Sequence, residues 1–117
     1  MSKQYLGPFL FLVALGASVG CKKSQAAEAS PQGKELFASA CARCHGQDGT
    51  GGFPVSAGGP SPRNFRDHGF QASHTDDQIK NTIVNGKGTA MPPFGATFDE
   101  GQLRALVGTV RSFDSER

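Results

Sequence analysis

The chain has 117 residues, 37% hydrophobic and 19% charged, which is the length of one domain once any leader is set aside. Twelve Lys and Arg against ten Asp and Glu leave a net charge of +2, which gives no footing for a nucleic-acid-binding surface. Cys41 and Cys44, with two residues between them, would close a disulfide loop too short to stabilise much.

Met1 to Gly20 carry one lysine, Lys3, ahead of an apolar run from Leu6 to Val19. This is the pattern of a secretory leader, and the run is too short for a comfortable membrane span. Ala17-Ser18-Val19-Gly20-Cys21 resembles a bacterial lipoprotein cleavage site, so residues 1–20 are expected to be removed and Cys21 to carry a lipid. An uncleaved signal anchor, or cleavage after Ala27-Glu28-Ala29, is the alternative. Residues 21–30 then read as a flexible tether whose Lys22 and Lys23 suit anionic headgroups, and residues 31–117 as the folded domain. So small a domain buries a modest core by itself, and a bound cofactor would supply much of the apolar interior it lacks.

Ser30-Pro31 has the form of an N-cap followed by proline at the first helical position. Gly33 and Phe37, four apart, share a face of the helix opened by that cap. A helical glycine costs about 1 kcal/mol against alanine, and close approach by the C-terminal helix is a reason to keep it. Next comes Cys41-Ala42-Arg43-Cys44-His45. Cysteines three apart lie on one face of a helical turn, where both sulfurs can bond the vinyl groups of one porphyrin, and the adjacent histidine can reach the iron. A thioredoxin-like motif would need a βαβ context that is missing before Cys41. A zinc knuckle would need a fourth ligand, yet the remaining cysteine, Cys21, sits at the leader boundary.

Gly46 to Ser73 is rich in glycine and proline, which argues against regular structure over most of it. Phe53, Phe65 and Phe70 could border a flat cofactor or pack as core, and Arg63 and Arg66 could pair with haem propionates or stay solvated. Thr75-Asp76-Asp77-Gln78 forms a capping box for a helix through Ile79, Ile83 and Val84, ending at Asn85-Gly86. Met91-Pro92 comes after it. Proline pushes the residue before it into an extended conformation, and the thioether of Met91 suits the sixth position of a haem iron, with His68 and His74 as competitors. A second capping box, Thr97-Phe98-Asp99-Glu100, is expected to start the last helix, whose Leu103, Leu106, Val107, Val110 and Phe113 form an apolar stripe.

From about Gly33 to Phe113 the chain resembles a class I c-type cytochrome of the bacterial monohaem kind, on the strength of the Cys41–His45 motif and the Gly88-Thr89-Ala90-Met91-Pro92 loop. The resemblance implies an all-α fold in which first and last helices cross around one covalently bound haem c. It implies that His45 and Met91 are the axial ligands and that a proline carbonyl, best fitted by Pro60 with Pro62 as alternative, accepts the N–H of His45. An aromatic residue often stands near Thr109 in such proteins; here the position is polar, Gly108 precedes it, and Phe113 is the candidate to compensate. The function implied is one-electron transfer outside the cytoplasm without enzymatic catalysis. Redox partner proteins would dock near the Met91 loop with Lys87 at the rim, and a lipid would hold the domain at a membrane. A haem-bearing subunit of a membrane oxidase or dehydrogenase is the alternative. Without Met91 on the iron, a gas sensor or a peroxidase-like protein would be the reading.

Overall fold

The computed structural model describes residues 27–52, 54 and 56–117, so the leader, Cys21, most of the tether and Phe53 lie outside the described residues. The first helix opens at Pro31–Leu36, passes through a π-helical segment at Phe37–Cys41 and closes at Ala42–His45. A short helix, His68–Ser73, precedes a middle helix, Asp76–Asn85, and a last helix, Glu100–Ser112. The described residues contain no strand, only an isolated bridge between Lys87 and Met91.

Local sequence sets these boundaries. The Ser30 hydroxyl accepts the Gly33 N–H at 3.0 Å. At the middle helix, Thr75 and Gln78 exchange both bonds of a capping box, and Gly86 ends it at φ +70°. The last helix corrects the sequence reading by two positions: Asp99, not Thr97, is the cap, accepting the Gln102 N–H at 2.8 Å while the Gln102 side chain takes the Asp99 N–H at 3.0 Å. Thr97 instead closes a turn on the Phe94 carbonyl.

First and last helices cross at Gly33. A Cβ there would run into the Ala105 carbonyl and lie 2.6 Å from the Thr109 hydroxyl. Thr109 is 2% exposed, and its hydroxyl is satisfied by the Ala105 carbonyl at 3.1 Å. The small polar residue therefore serves the close approach. The aromatic contact comes one turn later, where Phe113 meets Phe37 at 4.9 Å between ring centroids. Leu106, fully buried, sits in one cluster with Phe37, Ile79, Ile83, Leu103 and Val110.

Gly108 performs a second close approach, since the Glu28 carbonyl and the Ala29 nitrogen occupy the space a side chain would need. Residues 27–29, part of the stretch read as tether, thus lie along the last helix, and the Ala27 N–H donates to Asp76 Oδ2 at 3.2 Å. The other oxygen of Asp76 takes Nε of Arg111 at 2.7 Å. Arg111 is 8% exposed and also donates to the carbonyls of Gln71 and His74 and to Gln71 Oε1. One guanidinium thereby joins the last helix to the short helix and to the start of the middle one.

Burial opposes the charge on Asp76, yet hydrogen bonds from Arg111 and Ala27, with the Arg111 charge, hold its carboxyl below the usual carboxylate range. A depressed carboxyl contributes stability that is complete above its unfolded value, about 3.9, and lost as pH falls through the folded value. Asp76→Asn is expected to lower stability at pH 7 and to flatten the loss seen below about pH 4, read from urea midpoints across pH. Arg111→Met should cost about 1.5–3 kcal/mol at pH 7 by orphaning its partners.

Candidate functional site

The first helix buries Gly33, Phe37 and Ala42, at spacings of four and then five. The break in spacing is the π-helical segment, in which the Ala42 N–H reaches back to the Phe37 carbonyl. Had the α-helix run on, Cys41 would have followed Phe37 on the face against the core. The extra residue instead gives that place to Ala42 and leaves Cys41 and Cys44 half-buried as free thiols. Burial, and then the neighbouring Cys44, push the Cys41 thiol up to about 11.

His45 ends this helix. Its Nδ1 lies 3.2 Å from the carbonyl of Arg63, and because a carbonyl only accepts, Nδ1 carries the proton. Burial lowers the His45 pKa, with the Arg63 bond partly opposing it, so the ring is held neutral with Nε2 as its basic nitrogen. The carbonyl expected from Pro60, or from Pro62 as alternative, is thus supplied by Arg63. Pro60 is exposed, and the Pro62 carbonyl faces Gly51. The Arg63 guanidinium, considered for a propionate, lies over the Phe70 ring at 5.4 Å. Arg66 is exposed, and its N–H donates to Asn64 Oδ1.

Phe65 stacks on His45, with centroids 4.5 Å apart and planes 20° from parallel. The sequence pointed to Phe65 only as an apolar contact and gave no sign of the Arg63 carbonyl. The loop is braced around the motif: the Gly51 N–H donates to the His45 carbonyl at 2.8 Å, and the Phe65 N–H to the Gly49 carbonyl at 2.7 Å.

Met91 sits in a tight turn closed by Lys87, the two residues exchanging N–H to carbonyl bonds at 2.8 and 3.3 Å. The turn is strapped to the middle helix by the Phe94 N–H on the Ile83 carbonyl and the Gly95 N–H on the Val84 carbonyl. Met91 and Cys41 are both partly buried against the same apolar cluster, with Leu36, Phe70, Phe94 and Phe98 also along its margin. Apolar surface that the protein covers only in part suits a flat apolar cofactor. Of the competing histidines, His68 places Nδ1 3.1 Å from Asp114 and Nε2 3.6 Å from Glu116, and His74 places Nδ1 3.1 Å from the Phe70 carbonyl.

A helical Cys-x-x-Cys-His with its imidazole tied to a loop carbonyl, in a small all-helical domain, defines a c-type cytochrome. The chain belongs to the family described as cytochrome c oxidase, cbb3-type, subunit III, whose profile matches residues 28–108. It is 42% identical over 82 residues to the cbb3-type cytochrome c oxidase subunit CcoP of Rubrivivax gelatinosus, covering 62% of this chain and 24% of that protein. It is 32% identical over 79 residues to subunit FixP of Azorhizobium caulinodans, covering 68% and 25%. The chain therefore spans about a quarter of the length of these relatives. Among solved structures, the KustC0563 c-type cytochrome matches with a TM-score of 0.64 and 32% identity, over 71% of this chain and 98% of that one. The Kuenenia stuttgartiensis reducing HAO-like protein complex Kustc0457/Kustc0458 matches with a TM-score of 0.61 and 29% identity, over 74% and 43%. Covalently attached haem c, with its iron, is accordingly the cofactor of this domain.

The Met91 turn depends on Gly86, where a Cβ would strike the backbone of Met91 and Pro93 at a φ of +70°, whereas Gly88, at φ +56°, has open space around it. Alanine at Gly88 should cost about 1–2 kcal/mol for the left-handed backbone, and alanine at Gly86 that amount plus the clash. Urea midpoints of the two haem-loaded variants check the difference.

Proposed function

We propose that the domain carries single electrons outside the cytoplasm, on a haem bonded through Cys41 and Cys44 and ligated by His45 and Met91. The observation that carries this reading is the Nδ1–H of His45 donating to the Arg63 carbonyl. It fixes the tautomer, leaves the lone pair of Nε2 free for the iron and would make that nitrogen a stronger donor. Haem c supplies a reversible one-electron step between ferric and ferrous iron. Met91, as a soft thioether on a strapped turn, raises the potential relative to a second nitrogen ligand. With His45 and Met91 both holding the iron, no position on the metal would be left for a substrate, which favours a carrier over an enzyme.

Residues 1–20 as a cleaved leader, and Cys21 as a lipid attachment point, would put the domain on a membrane surface. The names of the relatives favour a second reading, in which the domain is the haem-bearing part of a membrane oxidase complex. In either case redox proteins are the partners, with Lys87 at the rim of the Met91 turn as a contact. Among the described residues no helix is long and apolar enough to cross a membrane.

Met91→Ala should lower the reduction potential and let the reduced protein bind carbon monoxide readily, while the unaltered protein resists it; ready binding by the unaltered protein would remove Met91 from the iron. Cys21→Ser should abolish incorporation of labelled fatty acid and move the protein from membrane to soluble fractions with its visible spectrum unchanged. An unlabelled parent protein would end the anchor reading alone.

A further inference from the structure

We infer that Phe65 is a positioning residue for the electron-transfer centre: it stacks on the His45 imidazole and fixes the plane of that ring about the iron–nitrogen axis. The inference rests on His45 being an axial ligand, as proposed above.

One hydrogen bond, from Nδ1 to the Arg63 carbonyl at 3.2 Å, sets the direction in which the imidazole points but leaves the ring free to twist about it. A stacked aromatic face removes that freedom, and Phe65 supplies one at 4.5 Å and 20° from parallel. A ring that fixes another must itself be fixed. Phe65 is 8% exposed and enclosed by Phe37, Phe70 and Phe113, at 6.1, 5.8 and 6.4 Å between centroids. Its main chain is held at both ends, the N–H by the Gly49 carbonyl at 2.7 Å and the carbonyl by Gln71 Nε2 at 2.7 Å. Gln71 is 5% exposed, and the same nitrogen also reaches the Val110 carbonyl at 2.9 Å. Arg63 and Phe65 are two residues apart, so one short segment delivers both the carbonyl that orients the imidazole and the ring that stops its rotation. The plane of an axial imidazole selects which iron orbital it mixes with, and hence which porphyrin edge bears the unpaired electron.

The test is proton NMR of the oxidised, haem-loaded protein, whose haem methyl shifts report the axial ligand plane. Phe65→Leu should change the order and spread of those resonances. Ile79→Val thins the same buried core without removing any ring that encloses Phe65 and should keep the parent pattern. A parent pattern in Phe65→Leu, or the same change in both variants, would overturn the inference. Should Phe65→Leu fail to take up haem, the reduced parent protein decides: contacts between the His45 ring protons and the Phe65 ring support it, and their absence overturns it. Failure of the coordination reading is separately visible, because the oxidised parent would then lack the strongly shifted signals of an axial imidazole.

Discussion

At Gly33 the backbone of the first helix lies directly on Ala105 and on the Thr109 hydroxyl of the last, with no room for a side chain. Two helices this close cannot slide past one another without a clash, so the crossing fixes where the first helix ends in space, and the Cys41–His45 motif is that end. The same closeness lets Phe113, just beyond the last helix, reach Phe37 and cover Gly49 at the start of the loop that braces His45. A bulky residue at position 109 would separate the helices. The hydroxyl at Thr109, bonded within its own helix, is a small group that leaves no buried polar atom unsatisfied.

The π-helical segment resolves a conflict in the first helix. Its apolar stripe must face the core, yet Cys41 at regular spacing would fall on that stripe and could not also face a cofactor. One extra residue rotates the remainder of the helix by roughly the 100° that separates neighbours on a helix, so that Ala42 takes the core position. The two sulfurs and the imidazole are turned aside together, and their relative placement within the motif is kept.

What the sequence showed plainly was chemistry carried by a few adjacent residues. The Cys41–His45 motif, the Thr75–Gln78 box and the Gly86 cap act over a turn or less, so their residue types and spacing suffice. The sequence was silent where a long-range contact decides. Thr97 and Asp99 are both able caps; Thr97 is taken up in a turn ending on the Phe94 carbonyl, and Asp99 caps the helix. Pro60, Pro62 and Arg63 all lie within reach in the chain, and the Gly49 to Phe65 bond sets which carbonyl meets His45. Arg111 reads as an ordinary basic residue in a last turn, suited to the helix dipole, and only the folded chain shows it buried. The short helix His68–Ser73 was hidden by Gly69 in its first turn and by the glycine and proline before it.

Arg111 shows why a fold of this size keeps a buried charge near a haem site. Its guanidinium holds Gln71 Oε1 at 2.9 Å, which leaves the Gln71 amide nitrogen to bridge the carbonyls of Val110 and Phe65. Exchanging Arg111 for an apolar residue of similar size could preserve the packing, but Gln71 would then be free to rotate its amide. The Phe65 carbonyl would lose its defined donor. A continuous run of bonds therefore joins the last helix to the ring behind His45. The last helix holds the first at Gly33 and the Arg63–Phe65 loop through Arg111 and Gln71, so the motif and the residues that orient its imidazole are referred to the same rigid element.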